Sequence, residues 1–270
     1  MKNREENKNE HNNCNRHIIR GYSSYRSRLR IRKREQGDRV GTEDRERNKT
    51  KTLRKMAESR RSGSGESMDY TSVINGHTLE YFDDSHTYLV DGVQVPSITE
   101  ILQVRFGKRF DGVDPSVLKE AARKGTMVHE AIESYCRTGE ESDLPEVRGF
   151  KFLQKMYHFT VLDNEVPVIL FQKNRAWLVP RAAGRLDLVL LQDGKIGIGD
   201  IKRTSKLDKD YLAYQLNLYR IAYMQSYGNN VEFLAGLHLR ETTRKFVRLP
   251  IDEEMAMELF REYERCGNEA

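Results

Sequence analysis

The sequence predicts an α/β domain: a central mixed, mostly antiparallel sheet flanked by helices, with a β-meander ahead of it and a disordered basic tail ahead of that. Three observations carry this reading. Charge divides unevenly, because residues 1–65 hold 20 Lys+Arg against 9 Asp+Glu while residues 66–270 hold 26 against 32. Several short runs alternate apolar and polar residues with period two, and others repeat apolar residues at helical spacing between capping residues. The two kinds alternate along the chain as helices, then strands, then a helix and two more strands, which is the pattern of a sheet covered by helices.

The tail comes first. Its net charge of +11, its Asn-rich start and its Arg/Lys run from Arg26 to Arg34 leave few apolar residues to bury, so it reads as disordered. Ser62-Gly-Ser-Gly65 ends it as a flexible linker. Residues 66–270 are long enough for one domain with a full core, and their net charge is −6. His77–Phe82, His86–Val90 and Val93–Val95, with turn residues Asp83-Asp-Ser and Asp91-Gly92 between them, form the meander. Ser97 with Glu100 three residues later is a capping box that opens a helix. Asp114-Pro115 starts another, Lys124–Arg137 continues the helical spacing to a stop at Gly139, and Pro145–His158 is a further helix.

The period then changes to two. Glu165–Phe171, Ala176–Val179, Gly184–Leu191 and Lys195–Lys202 read as consecutive strands. Asp208–Tyr227 is a long amphipathic helix, Val231–Leu239 and Lys245–Leu249 are the last strands, and Asp252–Arg265 closes the chain with acids in its first turn.

One hairpin concentrates the chemistry. Gly184-Arg-Leu-Asp187 and Gly199-Asp200-Ile201-Lys202 flank the turn Gln192-Asp193-Gly194, and Asp-Gly between alternating apolar runs is a strong hairpin signal. Asp187 and Asp200 then lie on adjacent antiparallel strands, and alternation puts Asp200 and Lys202 on one face with Ile201 on the other. Two carboxylates so close are costly to bury without a partner, and an oxygen-liganded divalent cation such as Mg²⁺ is the partner they call for. Any one of these residues alone reads as an ordinary strand-end acid or surface lysine; the pairing across the turn is what weighs against that.

Composition narrows the class. No apolar run reaches the 18 or so residues of a membrane helix, and no apolar segment follows the first charges as in a signal peptide, so the chain reads as soluble and cytoplasmic, in the host compartment if viral. Cys14, Cys136 and Cys266 are odd in number and far apart, which fits a reducing compartment and excludes a four-cysteine cluster from this chain alone.

Four motifs in order resemble the PD-(D/E)XK nuclease superfamily, in its RecB-like, phage-type exonuclease branch. Gly125-Thr-Met-Val-His129 resembles its Gly-x-x-x-His helix, Gly184-Arg-Leu-Asp187 its first acidic strand, Asp200-Ile201-Lys202 its (D/E)-x-K strand and Gln215-Leu-Asn-Leu-Tyr219 its Gln-x-x-x-Tyr helix. His86–Gly92 to Ser97–Leu102 is similar to the opening of phage-type members. The resemblance implies a restriction-endonuclease-like core and a deoxyribonuclease, of exonuclease type, in recombination, repair or phage DNA processing. It implies metal ligation by Asp187, Asp200 and the Ile201 carbonyl, with Mg²⁺ or Mn²⁺ as the ion and His129 as an added ligand. Lys202 would orient or deprotonate the attacking water, and Gln215 and Tyr219 would touch that lysine or the nucleic-acid backbone. Glu165 resembles an acid found at the start of the first strand in several relatives, a further group for the metal. Some relatives carry an iron–sulfur cluster; without four cysteines none is expected here.

DNA is the expected partner, with Arg123, Lys124, Lys206 and Lys209 as candidates for a basic groove and Arg185 for a phosphate. Glu133, four residues after His129, is a weaker ligand candidate. Whether the chain forms a homo-oligomer or binds a recombination protein is not readable from it. The alternative is a degenerate nucleic-acid-binding protein on the same fold. A small-molecule hydrolase is disfavoured by the lack of a histidine-rich ligand set, a phosphate-cradling glycine loop or a Ser/His/Asp order.

Overall fold

The computed structural model describes residues 68–174 and 177–268. The basic tail predicted over residues 1–65, with Cys14, lies outside the described residues. Among the described residues, two sheets and five α-helices make up a mixed α/β fold.

The first sheet is an antiparallel meander in the order β1 (Met68–Ile74), β2 (His77–Phe82), β3 (Thr87–Val90) and β4 (Val93–Val95). The sequence reading missed β1, although Asn75-Gly76 marks its turn as plainly as Asp91-Gly92 marks the next. Both pairs have positive φ at both residues (51° and 84°, 54° and 79°), the backbone that a tight hairpin requires. Pro96 and Ser97 then hand the chain to α1 (Ile98–Phe106). The predicted capping box is formed: Ser97 Oγ accepts the Glu100 N–H at 3.0 Å and Glu100 Oε2 accepts the Ser97 N–H at 2.9 Å.

After a 3₁₀ turn (Gly107–Phe110), Asp114 caps α2 (Pro115–Thr138) by accepting the Ser116 N–H at 2.7 Å, and Gly139 ends it in the left-handed conformation. The start at Pro115 and the periodic stretch from Lys124 belong to one 24-residue helix. Helix α3 (Pro145–Tyr157) follows, one residue shorter than expected.

The second sheet has the order β5 (Thr160–Asn174), β6 (Trp177–Gln192), β7 (Lys195–Lys202), β8 (Phe233–Leu239) and β9 (Arg244–Leu249). All neighbours are antiparallel except β7 and β8, which run parallel because α4 (Lys209–Tyr227) crosses between them. Two strands are expected separately, over Ala176–Val179 and Gly184–Leu191; Trp177–Val179 and Gly184–Leu191 belong to one strand, β6, and Ala176 lies outside the described residues. A proline is tolerated at Pro180 because the pairing there is with β5 alone and the register shifts between Leu170 and Phe171. Helix α5 (Glu253–Asn268) closes the chain.

One face of this sheet packs on α1, α4 and α5 through residues such as Ile98, Leu216, Tyr223, Leu234 and Phe260. The other face packs on α2 and α3 through Val128, Ile132, Phe150, Leu237 and Ile201. The meander seats its own apolar face on Ile169, Phe171 and Ala183 at the far end of β5 and β6. Among the described residues, no helix is long and apolar enough to cross a membrane.

Candidate metal centre

The predicted hairpin sits where the sequence places it. Gln192 pairs with Lys195 across Asp193 and Gly194, whose φ values of 51° and 76° make the tight turn. The β6–β7 ladder runs from there to Leu188 opposite Gly199. Beyond that pair the strands no longer exchange backbone bonds: Asp187 Oδ2 takes the Ile201 N–H at 2.7 Å in place of a carbonyl. Further along, Ala183 gives its N–H to the Pro96 carbonyl at 3.0 Å, so the chain entering α1 occupies the edge that β7 vacates. The divergence of β6 from β7 opens the site.

Glu165 comes from the other side of β6. Asn164 pairs with Leu188 and Val166 with Leu186, which leaves Glu165 opposite Asp187. Residues directly opposite on paired strands share a face, so the register aligns Glu165, Asp187 and Asp200 across three strands. The sequence reading put Glu165 at the opening of the first strand; it lies well inside β5. Its φ of +50° is an uncommon backbone for a non-glycine residue within a strand, of the kind that costs about 1–3 kcal/mol and persists where surrounding structure fixes it. Its side chain is paired with Arg185, whose Nε lies 2.7 Å from Glu165 Oε2. The guanidinium of Arg185 is flanked by the rings of Tyr70 and Tyr81, at 5.9 and 5.7 Å from their centroids. Arg185 therefore faces Glu165 and the tyrosines of the meander, where the sequence reading left it to a phosphate or to solvent.

Helix α2 brings in His129. Its Nδ1 stands 3.7 Å from Asp187 Oδ2 and 3.8 Å from Glu165 Oε1, and its Nε2–H donates to the Ile201 carbonyl at 3.1 Å. One ligand atom from each of His129, Glu165 and Asp187 lies within 4.8 Å of the others. Burial disfavours a charged imidazole, but Asp187, Glu165 and Asp200 outweigh it and push His129 up to about 9.

Asp200 is placed differently from the other acids. It is 3% exposed, and the Lys202 ammonium stands astride its carboxylate, 2.9 Å from Oδ1 in hydrogen-bond geometry and 2.7 Å from Oδ2 without it. Burial, with Asp187 nearby, lifts Asp200 above the usual carboxylate range although Lys202 works against the shift. Burial alone would depress Lys202, but Asp200 and Asp187 hold it above the ordinary lysine value, so it is an ammonium. Ile201 packs into the opposite face, as alternation requires.

The Gln-x-x-x-Tyr pair lies on α4, and both residues are buried. Tyr219 packs on the first motif's glycine: a Cβ at Gly184 would come 2.9 Å from Tyr219 Cε1 and 3.2 Å from its hydroxyl. Gly184 is thus required by the closeness of strand and helix beneath the site. Gln215 Oε1 is buried without a hydrogen-bond partner among the described residues. The other candidates stand apart. Glu133 pairs with Arg137 at 3.1 Å, while Arg123 and Lys124 both pair with Glu120, at 2.8 and 3.3 Å. Cys136 is partly buried and Cys266 exposed, and neither is in the His129 group.

Lys206 and Lys209 do line a cleft of about 620 Å³ beside the end of β7, together with Lys202 and two residues that the sequence reading did not single out, Arg109 and Tyr211. Tyr211 had a usable signal, because it precedes Gln215 and Tyr219 at the same four-residue helical interval. Arg109 had none, since its position depends on where the 3₁₀ turn packs.

No protein-family model matches this chain, and no curated protein does. Among solved structures, one described as "Crystal structure of SSO0001" is similar over 64% of this chain and 76% of that one, at 15% sequence identity and a TM-score of 0.39. A likeness that loose defines no class, so the reading of function rests on the residues of the site.

Proposed function

We propose that this chain is a divalent-metal-dependent deoxyribonuclease with a restriction-endonuclease-like core of the PD-(D/E)XK superfamily, acting as an exonuclease in recombination, repair or phage DNA processing. The observation that carries the reading is the convergence of His129, Glu165 and Asp187 with the Asp200–Lys202 pair where β6 parts from β7. A small cation bound at about 2.1 Å from each donor needs those donors roughly 3–4 Å apart, and the His129 contacts of 3.7 and 3.8 Å suit that. His129 Nδ1, Glu165 and Asp187 would hold Mg²⁺ or Mn²⁺, with Asp200 as the adjoining carboxylate; the Ile201 carbonyl, expected as a further ligand, is instead bonded to Nε2 on the other edge of the same ring and so does not face that ion. The imidazole favours the softer Mn²⁺. Such an ion, when bound, offsets phosphate charge and lowers the pKa of a bound water.

The chain's own groups supply the rest. Lys202 is held as an ammonium by Asp200 and Asp187, so it serves as a hydrogen-bond donor and counter-charge to the scissile phosphate and the attacking water, in preference to a base. Asp187 uses one oxygen to hold the Ile201 N–H, which fixes the direction of the Ile201 carbonyl toward His129. Tyr219 supports β6 from below through Gly184.

The test is digestion of end-labelled duplex DNA, single-stranded DNA and a closed plasmid with Mg²⁺, Mn²⁺ or EDTA. Cleavage with either ion, blocked by EDTA and lost in the near-isosteric Asp187→Asn and Asp200→Asn variants, is expected. DNA binding with no cleavage under any condition would replace the proposal with the degenerate, binding-only alternative.

A further inference from the structure

The cleft beside β7 contains an arginine with one nitrogen that has no hydrogen-bond partner among the described residues. Its walls are the 3₁₀ turn Gly107–Phe110 on one side and the segment from Thr204 into the first turn of α4 on the other. Arg109 reaches across it: its guanidinium carbon lies over the Tyr211 ring, 3.7 Å from the centroid, and 4.8 Å from that of Phe110. Its Nη1 is buried and has no hydrogen-bond partner among the described residues. The nearest acid, Asp208, meets Nε at only 3.8 Å and spends Oδ1 on the Tyr211 N–H as the cap of α4. The guanidinium also hydrogen-bonds the Tyr211 hydroxyl, and the side chain remains 22% exposed, so its other N–H groups present a partly desolvated positive fork to the cleft.

The rest of the lining says what that fork would hold. Lys206 and Lys209 add two ammonium groups, against the carboxylates of Asp208 and Asp210, and Lys202 joins the same cleft from the metal centre. With Lys202 paired to Asp200, the remaining charges of the cleft among the described residues are Arg109, Lys206 and Lys209 against Asp208, which pairs loosely with Arg109, and Asp210, a net of one positive charge. A planar fork with adjoining ammonium groups matches a tetrahedral phosphate. Tyr211 connects the two places: the positive charges of both Lys202 and Arg109 act on its hydroxyl, and so does Asp200.

We propose that this cleft is a second anion site, which holds a phosphate of the DNA backbone neighbouring the one cleaved, with Arg109 as its anchor, Tyr211 as the plate that orients it and Lys206 and Lys209 at the rim. The identity of the polymer rests on the nuclease reading; the anion site itself does not. Held there, the strand would run from the cleft across Lys202 to the metal centre, which gives it a fixed register before any reaction.

The test measures binding without catalysis. The full chain is titrated, in EDTA and over a series of salt concentrations, into a fluorescently labelled single-stranded DNA 12-mer read by anisotropy. Loss of one charge-assisted contact in Arg109→Ala should weaken binding about tenfold. The slope of log affinity against log salt should fall by about one. Arg109→Lys keeps the charge but not the fork or the stack, and should recover the slope and only part of the affinity. A Lys206→Ala/Lys209→Ala variant, at rim positions, should lower the slope without touching the fold and serves if Arg109→Ala melts early. Unchanged affinity and slope in the rim variant and in a folded Arg109 variant would overturn the proposal. So would an Arg109-dependent affinity for inorganic phosphate with none for the 12-mer, since the cleft would then serve a free anion. Wild-type protein that never cleaves yet loses oligonucleotide binding with Arg109 would refute the nuclease reading and leave the anion site standing.

Discussion

In the metal-free protein His129 is displaced toward its charged form, and its ionisation gives a pH dependence with a definite sign. The ring's ordinary value is 6.5, and in the folded chain the carboxylates of Asp187, Glu165 and Asp200 outweigh burial and carry it up to about 9. A group whose value is raised on folding contributes stability that is complete below the unfolded value and is lost as pH rises through the folded one. In EDTA, His129 should therefore stabilise the fold fully at about pH 6 and cease to do so above about pH 9. At about 1.36 kcal/mol per pH unit the difference amounts to roughly 3 kcal/mol. For a domain of this size that is a loss of about 6–12 °C in Tm. The assay is thermal unfolding from pH 6 to 9.5 in EDTA for wild type and His129→Asn, since other groups titrate near the alkaline end and the variant subtracts them. Titration with Mn²⁺ at pH 7, in two buffers of different ionisation enthalpy, supplies the second half: a ring protonated in the free protein must shed its proton to become a ligand, so binding should release close to one proton. If the two proteins lose stability in parallel as pH rises, and metal uptake releases no proton, then His129 neither carries the charge nor binds the ion.

Three further outcomes follow from particular contacts. Gly184→Ala brings a Cβ to 2.9 Å from the Tyr219 ring, a packing conflict worth roughly 1–3 kcal/mol, so chemical denaturation should show that loss, and an unchanged midpoint would mean that strand and helix are not so close. Arg185→Gln frees Glu165 from its 2.7 Å partner and removes the link to Tyr70 and Tyr81; Mn²⁺ affinity by calorimetry should fall about 10–100-fold with the fold retained, and equal affinity would remove Glu165 from the ligand set. The Cys136 thiol, pushed up to about 12 chiefly by burial with a contribution from Glu133, should resist iodoacetamide at pH 8 in the folded protein while the exposed Cys266 reacts; peptide mapping that finds both modified equally fast would contradict the burial.

The elements that were legible in the sequence owe their form to local physics. Ser97 and Glu100 cap each other across three residues, Asp114-Pro115 starts α2 with a side-chain acceptor and a preset φ, and Asp193-Gly194 bends the hairpin. In each, the interacting atoms are a few residues apart, so the chain carries the whole cause. The alternation that sends Asp200 and Lys202 to one face and Ile201 to the other is of the same kind. Once the hairpin and its register are set, Asp187 and Asp200 become neighbours without reference to anything distant.

Other features were set only by tertiary packing. That Trp177–Val179 and Gly184–Leu191 form one strand depends on β5 running beside both, and no local signal around Pro180 says so. Glu165 joins the His129 group from a left-handed position within β5, opposite Asp187, where its carboxylate meets Arg185 on β6, itself beside tyrosines 104 and 115 residues earlier in the chain. Arg109 faces Tyr211 across about 100 residues, and its unsatisfied nitrogen follows from how a 3₁₀ turn packs against α4. Sequence spacing determines which side chains of one element share a face. Which elements meet, and so which charges are neutralised and which are left facing a cleft, is decided by long-range packing whose energy is spread over the whole core.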